Sequence, residues 1–239
     1  MIHALAAMTV LICSGAGAPV FSMARPVWLE GRETEMNVFA GFRGVFERPE
    51  ASSVQVRVAA STLYRVFVNG AFVGHGPARG PHGYYRVDEW DIAPQLKAGA
   101  NVVAIEVAGY NANSYYVLDQ PSFVQAEVVA DGAVLAATGA GDRPFEGFPI
   151  MERVQKVQRY SFQRPFIEVY ALKPGFDACR AQAGVSVPAV PLAETGSKSL
   201  LPRGVPYPRF EVQPVVRQVS SGAFEAGKLE HRFRDRSLV

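Results

Sequence analysis

The segment that most constrains the fold of this chain covers residues 64–121, where strand-like runs alternate with turns and polar-aromatic loops. The dipeptide Asn69-Gly70 is flanked on both sides by apolar residues, namely Val66, Val68, Phe72 and Val73. Asparagine and glycine together supply the two positive φ angles that a type I′ turn demands. The pattern therefore predicts a β-hairpin whose turn lies at residues 69 and 70.

Other segments have the length and pattern of β-strands. Residues 101–107 form an apolar, β-branched run that is too short for a typical helix and is typical of a buried strand. Residues 54–58 alternate apolar and polar side chains, and residues 123–129 lead to a second tight turn at Asp131-Gly132. Residues 166–170 alternate again and are expected to close the domain. The sequence thus predicts an all-β fold, an antiparallel sandwich.

Three longer segments of the sequence carry a family resemblance. They are GPARGPHGYYRVDEWD at residues 76–91, EVAGYNANSYYVLDQPSF at 106–123 and RYSFQRPFIEVY at 159–170. Together with the two turns they resemble the N-terminal, galactose-binding-like β-sandwich of bacterial α-L-rhamnosidases. The resemblance covers roughly residues 25–172 and implies a jelly-roll sandwich there. It also implies that the parent protein is a glycoside hydrolase.

Length and composition exclude some classes of protein. With 239 residues, 49% of them hydrophobic and 19% charged, the chain can bury one full core and part of a second. The formal net charge of +2 is small, and no cluster of lysines and arginines interleaves with the aromatic residues. We therefore expect no nucleic-acid partner.

The first residues are typical of an export signal. Residues 4–13 form an apolar stretch with the length of a signal-peptide core, which is too short for a membrane span. Small residues at Ser22 and Ala24 favour cleavage after Ala24, so residues 1–24 are interpreted as a signal peptide and the protein as periplasmic or extracellular. The alternative is a cytoplasmic protein that starts at Met23, since the leader lacks Lys and Arg.

The remaining part of the chain, residues 173–239, is expected to be a connector. Lys173-Pro174-Gly175 breaks the strand pattern, which places a domain boundary near residue 172. Six prolines fall between residues 185 and 214, and each fixes φ and removes a backbone donor. We interpret this stretch as an extended, proline-rich connector that leads into a truncated following domain.

No catalytic residue is predicted in this chain. Glycoside hydrolysis needs two carboxyl groups that face each other across the scissile bond. The densest acidic group is Asp88, Glu89 and Asp91, but neighbouring strand residues point to opposite faces. In the resembling family the catalytic carboxylates lie in a later helical domain. No cofactor is predicted either, and no metal site, because His75 and His82 have no carboxylate or cysteine at ligand spacing.

The functional hypothesis that remains is a surface that contacts sugars. Sugars stack their C–H faces on aromatic rings, while amides and guanidinium groups bond the hydroxyls. Two loops carry such residues: Arg79, His82, Tyr84 and Tyr85 in the first, and Tyr110, Asn111, Asn113, Tyr115 and Tyr116 in the second. The alternative is that the tyrosines pack the sandwich while the polar groups contact the absent catalytic domain.

Two functions therefore stay open. One is a non-catalytic module of an exported α-L-rhamnosidase-like glycoside hydrolase, which braces the catalytic domain and contacts a rhamnose-containing glycan. The other is a free-standing carbohydrate-binding module. A purely structural adhesion domain would be favoured if the loop aromatics were buried.

Overall fold

β-Strands dominate the fold in our computed structural model, which describes residues 21–159, 161–211 and 213–223. The strands of these ranges are β1 (Val27–Leu29), β2 (Val38–Glu47), β3 (Val54–Ser61), β4 (Leu63–Val68), β5 (Ala71–Gly76), β6 (Tyr84–Asp91), β7 (Ala100–Gly109), β8 (Phe123–Ala130), β9 (Ala133–Ala137), β10 (Glu146–Pro149), β11 (Leu192–Glu194) and β12 (Ser199–Pro202). Two short 3-10 helices, Ala93–Gln95 and Ala178–Arg180, are the helical elements of the same ranges.

The strands of the described ranges form two sheets. The first has seven strands in the order β11-β1-β8-β3-β6-β12, with β9 also paired to β8. The second has five strands in the order β10-β2-β7-β4-β5. All pairs are antiparallel except β6 with β12, which is parallel. The predicted all-β sandwich is confirmed.

Both predicted hairpins are present. Strands β4 and β5 are joined by Asn69 and Gly70, whose φ angles of 50° and 86° are the positive pair that a type I′ turn requires. Strands β8 and β9 are joined by Asp131 and Gly132, whose φ angles of 44° and 88° have the same signs. The predicted strand at residues 101–107 lies within β7, which is almost wholly buried.

The hydrophobic core lies between the two sheets. The rings of Trp28 from the first sheet and Phe42 from the second are both fully buried, with centroids 5.6 Å apart. Val56 in β3 and Ile105 in β7 are also fully buried. Each such side chain contributes about 1.5–3 kcal/mol through removal of apolar surface from water. The apolar side chains of the two sheets thus pack against each other in one shared core.

The first residues that the structure describes are attached to β8. Glu127 is fully buried, and its carboxylate accepts hydrogen bonds from the backbone amides of Ser22, Met23 and Ala24 at 3.0–3.2 Å. The side-chain amide of Gln125 donates to the Ala24 carbonyl at 2.8 Å. Residues 21–24, which belong to the expected signal peptide, are therefore in contact with the sandwich. Residues 1–20 lie outside the described residues.

The expected connector contributes two strands to the first sheet. Strand β11 pairs with β1, and β12 pairs with β6, with Leu200 opposite Tyr85. Both are outer strands of three and four residues, and Pro202 stands at the end of β12, where proline is tolerated. Residues 166–170, in contrast, form only the isolated bridges of Phe166 with Arg159 and of Tyr170 with Arg153.

A buried polar network fastens the segment after β12 to the sandwich. The Asp88 carboxylate is fully buried and accepts hydrogen bonds from the Tyr64 hydroxyl and from Arg203. The Trp90 indole donates to the Tyr64 hydroxyl at 3.0 Å, and the Tyr207 ring packs on Trp90 with centroids 4.3 Å apart. Residues 199–207 thus belong to the same folded unit as β4 and β6.

Candidate functional site

One open cleft brings together the two loops that the sequence singled out. We call it the loop cleft; it has a volume of about 280 Å³ and lies between residues 77–86 and residues 114–120. The predicted contact residues that line it are Arg79, His82, Tyr84, Tyr85, Tyr115 and Tyr116. Six of the nine candidate residues therefore meet at one place.

Three tyrosine rings of the loop cleft are open to solvent. Tyr84, Tyr115 and Tyr116 are exposed to 50%, 67% and 54% of their surface. The Arg79 guanidinium lies over the Tyr116 ring, 5.9 Å from its centroid. Tyr85 is different, because its ring packs edge-on against the buried Phe123 at 4.5 Å and burial raises the pKa of its hydroxyl. Three rings are thus exposed, although Tyr115 also meets Phe162 edge-on at 6.2 Å and accepts a hydrogen bond from Gln163, while Tyr85 is partly structural.

Hydrogen bonds hold both walls of the loop cleft in place. In the first wall, Arg86 donates to the Arg79 carbonyl at 2.6 Å and to the Pro202 carbonyl at 2.8 Å, which ties the loop to β12. In the second, the Ser114 hydroxyl accepts hydrogen bonds from the Tyr116 and Val117 amides at 3.0 and 3.1 Å. The exposed rings are therefore presented by loops whose backbones are fixed locally.

Three predicted contact residues lie outside the loop cleft. Tyr110 is only 5% exposed and packs against Phe39 and Phe166, and burial is the main cause that raises the pKa of its hydroxyl to about 12. Asn111 is buried with a φ of 47° and donates to the Glu33 carbonyl at 3.1 Å. The side-chain oxygen of Asn113 accepts the Asp119 amide at 3.0 Å, which braces the loop.

A second cleft, which the sequence did not indicate, lies on the outer face of the five-stranded sheet. We call it the sheet cleft; its volume is about 260 Å³. Its aromatic lining is Phe39, Tyr64, Phe72, Tyr110, Tyr170 and Phe210, and its polar lining is Arg65, His75, Glu106 and Glu168. The exposed Leu63 lines both clefts, so the two adjoin.

Glu106 of the sheet cleft and the three acidic residues of β6 all have polar partners within the sandwich. Glu106 is buried between Arg65 at 2.7 Å and Arg180 at 2.6 Å. Asp88 is bound by Arg203, and Glu89 pairs with Arg57 at 2.9 Å. Asp91 accepts the Ala93 amide at 3.0 Å. Each acidic residue of β6 therefore has at least one partner within the sandwich.

The described residues contain neither a cluster of metal-ligand side chains nor a helix that could cross a membrane. Among residues 21–159, 161–211 and 213–223, no group of three His, Cys, Asp or Glu residues is arranged to hold a metal ion. Within the same ranges, no helix has both the length and the apolar character that crossing a bilayer requires.

Comparison with solved structures shows what this sandwich is similar to. A GH78 family rhamnosidase from Bacillus sp. GL1 is 27% identical to the chain, with a TM-score of 0.66 over 77% of this chain and 20% of its own. An α-L-rhamnosidase from Aspergillus terreus is 16% identical, with a TM-score of 0.55 over 75% of this chain and 22% of its own.

The other comparisons add no family. No protein-family model matches the sequence, and none of the curated proteins is significantly similar to it. The chain spans about a fifth of the length of the two rhamnosidases. The chain therefore contains a rhamnosidase-like β-sandwich region, similar to that of a GH78 family rhamnosidase.

Proposed function

We propose that this chain is the non-catalytic β-sandwich module of an exported α-L-rhamnosidase-like glycoside hydrolase. In this role the module braces the catalytic domain of the same enzyme and contacts carbohydrate at the loop cleft. The observation that carries the proposal is the 27% identity and TM-score of 0.66 to the GH78 family rhamnosidase, over 77% of this chain.

The share of the relative that is matched supports a role within a larger enzyme. The sandwich corresponds to 20% of the length of that rhamnosidase, which leaves most of the relative for other domains. The acidic residues of β6 are held by Arg57, Arg203 and the Ala93 backbone amide rather than paired across a cleft. A non-catalytic module fits both facts.

Exposed apolar residues near the end of the described part support contact with another domain. Val215, Val216 and Val219 are apolar and exposed, and they follow a segment that is fixed to the sandwich by Arg203 and Tyr207. Apolar side chains exposed close together in sequence are typical of segments that another protein or domain covers. We assign these residues to the side that faces the catalytic domain.

The geometry of the loop cleft supports carbohydrate contact. It presents the rings of Tyr84, Tyr115 and Tyr116 beside the cationic side chain of Arg79, and His82 lies in the same wall. Flat rings stack on the C–H faces of sugars, and the polar groups can bond hydroxyls. A rhamnose-containing glycan is the ligand class that the similarity to the rhamnosidase suggests.

Export is supported by the sequence of the leader. Residues 4–13 have the length of a signal-peptide apolar core, and small residues follow them. A glycoside hydrolase that carries such a leader would meet its substrate outside the cytoplasm. The periplasm or the medium is therefore the compartment that we assign.

Immunoblotting tests the enzyme-module role. An antibody raised against this chain should detect, in the native organism, a polypeptide several times heavier than the 25.9 kDa of the chain. That polypeptide should co-purify with α-L-rhamnosidase activity. A band near 25.9 kDa that carries no such activity would overturn the enzyme-module role and favour a free-standing carbohydrate-binding module, the second function that the exposed loop-cleft rings support.

Calorimetry tests the carbohydrate role separately. Rhamnose and rhamnose-containing oligosaccharides should bind the purified chain, and the binding should be lost in a Tyr115→Ala, Tyr116→Ala double variant. The matched control is Tyr207→Ala, which alters an aromatic residue that packs on Trp90 instead of lining the loop cleft. Absence of binding in the original chain would reject carbohydrate contact. It would not affect the bracing role, which the immunoblot tests.

A further inference from the structure

The carboxylate of Glu127 is an anchor for the first described residues of the chain. The Glu127 side chain is fully buried in β8. Its two oxygens accept hydrogen bonds from three consecutive backbone amides, those of Ser22, Met23 and Ala24, at 3.0–3.2 Å. Consecutive amides that converge on a carboxylate form a concave anion site, which stabilises a buried negative charge.

Further contacts make residues 21–24 part of the sandwich. Phe21 packs against the cluster of Ala59, Val87 and Phe123. Gln125 donates a hydrogen bond of 2.8 Å to the Ala24 carbonyl, and Ala24 itself is buried. Residues 21–24 therefore supply both apolar packing and polar partners to β8.

Cleavage after Ala24 would remove these partners. The buried Glu127 carboxylate would keep its ion pair with Arg57, at 3.4 Å, but would lose the amides of residues 22–24. A buried charge that loses its hydrogen-bond donors is strongly destabilising. The contacts thus count against the cleavage position that the small residues Ser22 and Ala24 suggest.

The sequence offers another cleavage position upstream. Signal peptidases select small residues at the first and third positions before the bond that they cut. Ser14 and Ala16 meet this requirement directly after the apolar stretch of residues 4–13. The residue that follows is Gly17, so this bond, unlike the one after Ala18, does not precede proline.

We propose that the leader is removed between Ala16 and Gly17, so that Phe21–Ala24 remain in the mature protein as an anchor held by Glu127. The step is hydrolysis by a signal peptidase: water adds across the peptide bond and leaves a carboxylate on Ala16 and an ammonium group on Gly17. The proposal rests on the export proposed above, but the role of the anchor in stability does not.

Mass spectrometry of the secreted protein tests the cleavage position. The full chain is expressed in a Gram-negative host, recovered from the periplasm, and its amino terminus is read from the intact mass and the first peptide. We expect the chain to begin at Gly17. An amino terminus at Arg25, or at Met23 or Ala24 after internal initiation, would overturn the proposed position.

Stability measurements test the anchor independently of export. Chains that begin at Gly17 and at Arg25 are purified with and without Glu127→Gln. Loss of the anchor should lower the thermal midpoint by about 10 °C. Glu127→Gln should lower the midpoint of the longer chain, which loses an anion for its amides. It should raise that of the shorter chain, which loses an under-bonded buried charge. Equal midpoints for the two chain lengths would overturn the anchor. A shift of the midpoint by Glu127→Gln in the same direction in both chains would also overturn it.

A point variant covers the case in which the chain from Arg25 does not fold. Ser22→Pro in the longer chain removes the amide hydrogen that bonds both carboxylate oxygens of Glu127. The matched control is Ser22→Ala, which keeps that amide. A lower midpoint for the proline variant alone supports the anchor, and equal midpoints contradict it. If the anchor is confirmed while the protein remains in the cytoplasm, the export proposal fails and the anchor stands.

Discussion

The Arg203 guanidinium donates a hydrogen bond of 2.6 Å to the Asp88 carboxylate, although 115 residues separate them in sequence. Asp88 is fully buried, and Arg203 is largely so. The Tyr64 hydroxyl bonds the other carboxylate oxygen, and the glycine at position 76 leaves the room that these two side chains occupy. This pair connects the segment after β12 to the interior of the sandwich.

Removing Arg203 should destabilise the sandwich. Arg203→Ala leaves the buried Asp88 carboxylate without its cation, and breaking one partner of a buried pair costs about 3–5 kcal/mol. Urea unfolding measures the change. Arg209→Ala, an exposed arginine six positions further along, is the matched control and should change the free energy of unfolding by less than about 0.5 kcal/mol. Equal effects of the two variants would contradict the role of the pair.

The cost of Arg203→Ala should depend on pH. Burial raises the pKa of the Asp88 carboxyl, and the hydrogen bonds from Tyr64 and Arg203 oppose that rise. Without Arg203 the pKa in the folded state rises further above the unfolded value of about 3.9. The folded variant then binds more protons than the unfolded chain, so its stability falls as pH increases from about 4 upward. Urea midpoints between pH 3 and 7 should diverge from those of the original protein, and a constant difference would contradict the electrostatic cause.

The first hairpin turn should not tolerate a branched residue. Gly70 has a φ of 86°, and a Cβ at that position would lie 2.9 Å from the Cβ of Ala181. Gly70→Val should therefore cost on the order of 1–3 kcal/mol from the backbone alone. Gly184→Val is the control, because Gly184 is exposed with open space around it. Thermal melts decide the matter, and an unchanged midpoint for Gly70→Val would contradict the turn geometry.

Substitution of two tyrosines from the same sequence segment should lower the stability of the protein by very different amounts. Tyr110→Ala removes a buried aromatic side chain and should cost about 3–5 kcal/mol of stability. Tyr115→Ala removes a ring that is 67% exposed and should cost less than about 0.5 kcal/mol. Denaturant midpoints of the two variants provide the comparison. A large loss of stability in Tyr115→Ala would show that this ring is structural and would remove it from the loop cleft.

The isolated chain should not hydrolyse glycosides. The acidic residues of β6 are engaged by Arg57, Arg203 and a backbone amide, so they do not form the facing pair that hydrolysis needs. Aryl α-L-rhamnoside and a panel of other aryl glycosides are the substrates for the assay. Turnover above that of the buffer, and lost on Glu89→Gln, would contradict a non-catalytic module.

Local patterns predicted the two hairpin turns and the strands at residues 54–58, 101–107 and 123–129, since their causes are local, whereas the strand expected at residues 166–170 forms only isolated bridges. Asn69-Gly70 and Asp131-Gly132 adopt positive φ angles because of their own residue types, whatever surrounds them. Strands β11 and β12 escaped prediction because they are short and lie among prolines. Each is defined by a partner more than 100 positions away, as Leu192 is by Leu29. Their existence depends on tertiary pairing, which a single sequence pattern does not show.

The candidate site was predictable only in part. Tyr110 and Tyr115 lie five positions apart in one polar-aromatic run, and nothing in the run separates the buried ring from the exposed one. The separation arises because Tyr110 directly follows β7 and packs against Phe39 and Phe166. The sheet cleft was missed for a related reason, since Arg65, Glu168 and Phe210 meet there from distant parts of the sequence.

The parallel strand β12 has a consequence for how this protein behaves when it is shortened. It covers the first half of the free side of β6, residues 84–87, while the other side of β6 pairs with β3. A chain cut near residue 172 would leave the amides and carbonyls of β6 as a bare edge, and β1 would lose β11 in the same way. Bare edges invite strand addition between molecules, which leads to aggregation. Residues 192–202 therefore leave the sheet with short outer strands, each with a proline at or next to one end, and such strands are poor templates for pairing with another chain.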